Sequence, residues 1–110
     1  MSVTVTGDRI TLTRGDSLIL NVSIIKDGSE YELNEGDRVR FALNKNKLAN
    51  SDPIILKELD PKKLQLTLTP EETKKLEYKT YYYDFELTTV DGYVDTFIGP
   101  ATFKITEEVY

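Results

Sequence analysis

The segment from Tyr81 to Ile105, YYYDFELTTVDGYVDTFIGPATFKI, alternates apolar and polar residues over most of its length. Alternation with a period of two is typical of β-strands that bury one face. The first apolar row occupies the odd positions from Tyr81 to Leu87, and the Asp91-Gly92 dipeptide that follows favours a two-residue hairpin turn. The segment therefore predicts two antiparallel strands joined by a tight turn.

The same turn predicts the pairing of the two strands. It places Phe85 opposite Ile98, and the inward positions of the second strand are even-numbered as far as Ile98. The apolar positions from Ala101 to Ile105 are odd-numbered, so one extra residue is needed between the two stretches. Because Gly and Pro are typical of β-bulges, we predict a bulge and a kink at Gly99-Pro100.

Upstream of this hairpin, shorter apolar rows alternate in the same way and end in turn-forming residues. They predict strands near residues 3–5, 10–13, 17–24, 39–44, 54–59 and 64–69. The whole chain then has seven to nine strands, with turn signals about every ten residues. This pattern predicts an all-β fold in which residues 1–110 form a single domain, an antiparallel two-sheet sandwich of immunoglobulin-like type.

A single short helical turn is predicted between two of the strands. Thr69 is a suitable N-cap, Pro70 suits the first helical position, and Glu72 completes a capping box. By analogy with immunoglobulin folds, Tyr81 or Tyr83 either bonds its hydroxyl to the backbone near residues 73–76, as in a tyrosine corner, or is an ordinary core tyrosine. The sequence leaves both alternatives open.

Composition excludes several kinds of active site. The chain has 110 residues and contains no His, Cys or Trp. Thiolate nucleophiles, His-assisted triads, disulfides and the commonest zinc ligands are therefore unavailable. We expect no cofactor and no metal site, since no EF-hand spacing is present either.

The charge balance bears on the partners. Lys and Arg number 14 and Asp and Glu number 19, which gives a formal charge of −5. A negative surface opposes binding to DNA or RNA, so we expect no nucleic-acid partner. No apolar run approaches the roughly 20 residues that span a bilayer, and the first residues do not resemble a secretory signal, so we expect no membrane association.

Carboxylates are the only acid–base groups present in number. The predicted hairpin places Asp84, Glu86 and Asp95 on its outward face. A glycosidase-like pair needs one carboxyl group buried enough to raise its pKa, which the outer face of a sheet does not readily provide. We therefore predict solvated charge, no catalytic residue and no enzyme.

Three aromatic residues are predicted on that same outward face: Tyr82, Tyr93 and Phe97. Exposed aromatics anchor protein interfaces or stack on sugar rings. They also stabilise hairpins through cross-strand pairs without any binding role. The residues alone do not separate these alternatives.

The Arg14-Gly15-Asp16 triplet has two interpretations. Integrins bind this tripeptide when it lies at a loop tip, but a motif of three residues often occurs by chance. Here it lies between two predicted strands, where Gly permits a turn and Asp can bond to the following backbone. We interpret it as a structural turn.

Taken together, these motifs resemble the Ig-like β-sandwich domain of tailed-phage structural proteins of Gram-positive hosts, including the N-terminal domain of baseplate upper proteins. The segments that carry the resemblance are Arg14–Ser17, Leu33–Phe41, Leu68–Leu76, Tyr81–Leu87, Asp91–Thr96 and Gly99–Ile105. It implies a non-catalytic tail or baseplate subunit of a phage or prophage. Such a subunit packs against other phage structural subunits, as a homo-oligomer in the assembled particle.

The resemblance also implies a location in the virion, and in the host cytoplasm before assembly. The contacts between subunits are then expected at Tyr82, Tyr93, Phe97, Val109 and Tyr110. The alternative from another class is a carbohydrate-binding or cell-surface adhesion module, with the same outward aromatics stacked on glycan rings.

Overall fold

The computed structural model describes residues 3–6, 9–26, 28–46 and 53–107. Nearly all regular structure in this part is β-strand, as the sequence predicts. The elements are β1 Val3–Thr6, β2 Arg9–Thr13, β3 Leu18–Asn21, β4 Ile25–Lys26, β5 Ser29–Glu30, β6 Arg38–Asn44, β7 Ile55–Leu59, β8 Gln65–Leu68, α1 Pro70–Lys74, β9 Thr80–Thr88 and β10 Val94–Thr106. The described residues thus hold more strands than predicted, because β4 and β5 are pieces of two residues each.

Most strands belong to one six-stranded sheet with the order β1-β2-β10-β9-β6-β7. Its neighbours are antiparallel, except that β2 runs parallel to β10. A second sheet consists of β3 paired antiparallel with β8, and β4 pairs with β5 in a short hairpin. The prediction of antiparallel pairing therefore fails at one position, because alternation identifies faces and not neighbours.

The six-stranded sheet and the β3–β8 sheet share one hydrophobic core. In β9 every odd-numbered residue from Tyr81 to Leu87 is buried, and Leu66 and Leu68 of β8 lie in the same cluster. Other members are Ile10, Leu12, Leu18, Ile24, Val39, Phe41, Leu43, Leu59, Leu76, Phe103 and Ile105. The predicted inward rows of β2, β6, β8 and β9 are confirmed, because burial follows the alternation of those strands. In β10 the prediction is wrong near the hairpin, where the even-numbered Val94 and Thr96 are exposed, and it holds again for Phe103 and Ile105.

The helical turn forms as predicted. The Thr69 hydroxyl accepts a hydrogen bond from the Glu72 N–H at 3.3 Å, and the Glu72 carboxylate accepts one from the Thr69 N–H at 2.9 Å. Both halves of the capping box are therefore present, with Pro70 at the first position. No helix in the described part of the chain is long and apolar enough to cross a membrane.

Tyr81, at the start of β9, is fixed by the segment that follows α1. Its side chain is 2% exposed, and its hydroxyl accepts a hydrogen bond from the Glu77 N–H at 2.9 Å. This bond lies one residue beyond the segment that the sequence predicts. The bond links the segment between α1 and β9 to the first residues of β9.

The loop between β9 and β10 differs from the prediction. The Thr89 N–H donates to the Tyr93 carbonyl at 2.8 Å, so the loop holds three residues instead of two. Gly92 has a φ of 92°, which places it in the left-handed region that favours glycine. A three-residue loop of this kind ends in a left-handed residue, so the Asp-Gly pair serves equally well in the longer turn.

The longer loop shifts the pairing of the strands by one residue. Thr88 pairs with Val94 and Glu86 pairs with Thr96. A first bulge then falls between Thr96 and Ile98, which restores the predicted pairing of Phe85 with Ile98. A second register shift between Ile98 and Ala101 confirms the bulge that was predicted at Gly99-Pro100.

Candidate interaction surface at the hairpin tip

Phe97 does not lie on the outward face, so this prediction is wrong. It is the extra residue of the first bulge, and its ring lies 6.0 Å from the ring of Phe85 in the core. The side chain is half-buried and packs against the hydrophobic cluster. A bulge can turn a side chain to the other face of the sheet, and the period of two does not reveal it.

The predicted row of outward carboxylates is also altered. Asp95 pairs with Leu87, so it lies on the face opposite to Asp84 and Glu86. The Arg40 guanidinium bridges the other two, with Nη1 3.0 Å from Asp84 Oδ1 and Nη2 2.8 Å from Glu86 Oε2. These two carboxylates are therefore partners of one arginine on the outer sheet face.

The remaining predicted interface residues do not form one surface. Tyr82 is half-buried and pairs with Asn44 and Thr102, whereas Tyr93 is exposed in the loop after β9. Because β9 rises about 3.3 Å per residue, the two positions are roughly 20 Å apart along the strand. Val109 and Tyr110 lie outside the described residues.

Among the described residues, three of the eight exposed large apolar side chains lie at the tip of the β9–β10 hairpin. Val90 is 72% exposed, Tyr93 is 59% exposed and Val94 is 53% exposed. We call these three residues the tip patch. Large apolar side chains that cluster on the surface of a small domain often mark a contact site.

A buried carboxylate holds this hairpin in place. Asp37, at 2% exposure, accepts hydrogen bonds at Oδ2 from the Tyr31 hydroxyl at 2.8 Å and from the Asn34 N–H at 2.9 Å. Its Oδ1 accepts a bond from the Val90 N–H at 3.2 Å. The turn before β6 is thereby joined to the tip patch, which lies far away in sequence.

These bonds also set the protonation of the two groups. The Asn34 N–H has the largest effect and lowers the pKa of Asp37, burial opposes it, and the bonds from Tyr31 and Val90 lower it further. The same contact raises the pKa of Tyr31, because its hydroxyl donates to the carboxylate. Asp37 is therefore ionised at neutral pH and Tyr31 is neutral.

Asp91 orders the rest of the loop. Its carboxylate accepts hydrogen bonds from the Thr89 hydroxyl and, at 3.5 Å, from the Tyr93 N–H. The Thr89 bond is the main cause of the lowered pKa of Asp91. The tip patch is thus presented by a loop with internal bonds on both sides, which reduces the conformational entropy lost when a partner binds.

An open hollow of about 380 Å³ lies beside the tip patch. Its lining residues are Tyr31, Asn34, Asp37, Thr89, Val90, Asp91 and Tyr93. Among the residues that the structure describes, no group of three or more His, Cys, Asp or Glu side chains is arranged to hold a metal ion. The surface offers aromatic, apolar and anionic groups side by side.

Sequence reasoning named Tyr93 but missed Val90, Val94 and Asp37. The cluster Asn34–Asp37 indicates a turn, but nothing in it shows that its carboxylate reaches a loop more than 50 residues away. Val90 and Val94 flank the predicted turn, where isolated apolar residues carry no particular signal. Only the packing of the turn against the hairpin reveals the site.

The Arg14-Gly15-Asp16 triplet forms a turn whose arginine is engaged. Arg14 Nε donates to the Lys74 carbonyl at 3.0 Å, and Nη1 donates to the Tyr78 hydroxyl at 3.2 Å. The guanidinium carbon lies 5.2 Å from the centre of the Tyr78 ring. The Asp16 carbonyl also accepts a bond from the Thr73 hydroxyl at 2.9 Å. These contacts favour the structural interpretation of the triplet.

We expect Asp37→Asn to destabilise the domain at neutral pH. Both carboxylate oxygens accept from a backbone N–H, so in either orientation the new NH2 group would face a donor, Val90 N–H or Asn34 N–H, and two donors cannot bond to each other. The folded pKa of Asp37 is lowered, so its contribution to stability is complete above the ordinary carboxyl pKa and is lost as the pH falls through the lowered pKa. The variant should therefore lose less stability on acidification than the wild type. Urea denaturation across a pH series measures both effects.

The matched control for this prediction is Glu35→Gln, in the same turn and exposed. It should keep the wild-type stability at neutral pH, since surface substitutions change stability by about 0.5 kcal/mol or less. An Asp37→Asn variant with the same acid dependence as the wild type would contradict the role given to Asp37.

The chain was compared with models of protein families, with curated proteins and with solved structures. No family model, no curated protein and no solved structure gave a significant match.

Proposed function

We propose that the chain is an Ig-like β-sandwich that acts as a non-catalytic structural subunit of a phage or prophage tail or baseplate. The chain is first soluble in the host cytoplasm. It then binds neighbouring subunits through protein–protein contacts in the virion. The observation that carries this proposal is the tip patch, whose apolar side chains are held outward by an ordered loop.

The strand connections support the immunoglobulin-like part of the proposal. On this assignment β6, β9 and β10 correspond to strands C, F and G, and β7 extends that sheet as C′ does in variable-type domains. The β3–β8 pair corresponds to strands B and E of the facing sheet. Tyr81, near the start of β9 and bonded to the preceding backbone, fits the tyrosine corner.

The phage assignment itself depends on the sequence resemblance. The resembling motifs include the turn at Arg14–Ser17, the capping box at Thr69–Glu72 and the bulge at Gly99-Pro100. Each of them has a structural role in the fold, which is consistent with a domain selected for packing. The Tyr93 part of the proposed interface is exposed, while Phe97 is no longer included.

Immunogold labelling of purified particles tests the role. The strain that encodes the chain would be induced, and its tailed particles labelled with an antibody against the chain. We expect gold at the tail or baseplate. Particles that lack the chain while it accumulates free in the lysate would contradict the proposal. A glycan array on the purified chain should show no binding, and a specific hit would favour the adhesion alternative.

We further expect the double variant Tyr93→Ser, Val94→Ser to fold normally but to enter particles poorly. Both side chains are exposed, so their loss costs little stability and removes apolar contact area. The matched control is Ile19→Ser with Ile25→Ser, which removes two other exposed apolar residues. The measurement is the ratio of variant to wild type in particles after co-expression. Equal incorporation of the two double variants would exclude the tip patch as the contact.

A further inference from the structure

The two ends of the β9 strand carry different chemistry. Lys79 precedes the strand and Thr89 follows it, and nine residues of strand between them span about 26 Å. The sheet is only about 24 Å wide for six strands, so the longest dimension of the Cα framework, 46 Å, runs roughly with the strands. The domain therefore has two distinct ends along its length.

The first is the acidic end, which contains the tip patch and the turns around it. Asp37 joins the 31–37 segment to the hairpin, and Asp60 lines a hollow together with Glu35. The acidic residues placed here are Glu32, Glu35, Asp37, Asp60 and Asp91, against the lysines Lys62 and Lys63. Arg38, which pairs with Thr88 at this end, forms an ion pair with Glu58, so the two charges offset each other. The exposed apolar residues of the tip patch are thus surrounded by an excess of negatively charged side chains.

The second is the basic end, built around the turn after β2 and the segment after α1. Arg14, Lys74 and Tyr78 are in contact, and Lys104 pairs with Thr80 at the same level. The cationic residues placed here are Arg14, Lys45, Lys74, Lys75, Lys79 and Lys104, against Asp16, Glu71, Glu77 and Glu107. Glu72 of α1 also lies here, and its charge is offset by its ion pair with Lys57. Tyr78 is 47% exposed among them, and Ile54, also exposed, lines a hollow with Lys75.

Each end therefore combines an exposed apolar group with an excess of one charge: carboxylates outnumber lysines at the acidic end, and cationic residues outnumber carboxylates at the basic end. We propose that the acidic end of one copy binds the basic end of a second copy, so that the domains stack head to tail. This inference rests on the proposed function, whose partner it identifies as another copy of the chain. The contact is heterologous, because two different surfaces meet, and it repeats along a ring or a row of subunits.

The size of the ends predicts the strength of the contact. The two shorter extents of the Cα framework are 29 and 24 Å. An end can therefore bury roughly 500–600 Å² per copy, less than the roughly 800 Å² per partner of a standard stable interface. Free copies should associate weakly, because the contact is small and each copy carries a net charge of −5. Repeated contacts in a particle should strengthen the assembly.

Charge reversal provides the test. The acidic-end variant carries Glu32→Lys and Glu35→Lys, and the basic-end variant carries Lys74→Glu and Lys75→Glu; all four side chains are exposed. Sedimentation velocity over a concentration series, with circular dichroism to verify folding, gives the association of each. We expect about tenfold weaker self-association for each variant alone. The mixture of the two variants should regain association to within about threefold of the wild type, since opposite ends then match again.

The salt dependence and the mixture decide the outcome. Self-association of the wild type should weaken when salt rises from about 50 to about 500 mM, because charge contacts are screened. Failure of the wild type to associate, or a mixture no better than the separate variants, would overturn head-to-tail stacking. If the chain is nevertheless found in particles, the tail role stands and only this inference fails. If the chain stacks in solution but the particles lack it, head-to-tail stacking stands and the tail role fails.

Discussion

Replacing Phe85 with alanine is expected to lower the free energy of unfolding by about 3–5 kcal/mol, the usual cost of removing a buried aromatic ring. Phe85 is fully buried, and its ring centre lies 5.3 Å from that of Phe41, 5.9 Å from Tyr83 and 6.0 Å from Phe97. The cavity would open between β6, β9 and β10, at the centre of the large sheet. Urea denaturation measures the change.

The control for Phe85 is Val94→Ala on the neighbouring strand. Val94 is half-exposed, so this substitution should change the free energy of unfolding by about 0.5 kcal/mol or less. Phe85→Leu should fall between the two, because it keeps part of the buried volume. A loss below about 1 kcal/mol for Phe85→Ala would mean that the aromatic cluster is not the centre of the core.

Gly99→Ala is expected to cost about 2–4 kcal/mol, through left-handed backbone strain and overpacking together. Gly99 has a φ of 105°, which alanine adopts only with strain. A Cβ atom would also lie 2.5 Å from the Tyr83 carbonyl oxygen and 2.8 Å from Asp84 Cβ. Neither neighbour yields easily, since both belong to the central strand β9. Thermal or urea unfolding measures the loss.

Gly92→Ala separates the two causes. Gly92 has a φ of 92°, but a Cβ atom there would meet nothing within 4 Å. Only the backbone strain remains, so the expected loss is about 1–2 kcal/mol. Equal losses at Gly92 and Gly99 would show that the second bulge tolerates a side chain, contrary to the close approach seen at Tyr83.

Several parts of the fold follow directly from local sequence. The odd-numbered row from Tyr81 to Leu87 faces the core because side chains alternate along any strand. The capping box at Thr69 forms because it involves residues within one helical turn. The bulge at Gly99-Pro100 was predictable because the apolar positions change parity around it.

Other features depended on partners that are distant in the chain. The hairpin loop has three residues. The sequence could not predict this length, because the Asp91-Gly92 pair is compatible with more than one turn. The bulge at Phe97 then restores the register that the longer loop shifts. It also directs the Phe97 side chain, which was expected on the surface, toward Phe85 in the core. No local pattern distinguishes these outcomes, because both turn lengths give the same alternation upstream.

The sequence by itself determined the inward rows of β2, β6, β8 and β9 and that the domain is all-β, because these properties depend on neighbours within a few positions. Only the tertiary structure decided the pairing of the strands, the burial of Asp37 beneath the tip patch and the opposite charges of the two ends. The physical reason is that registers and buried hydrogen bonds form between segments that meet only when the chain has folded.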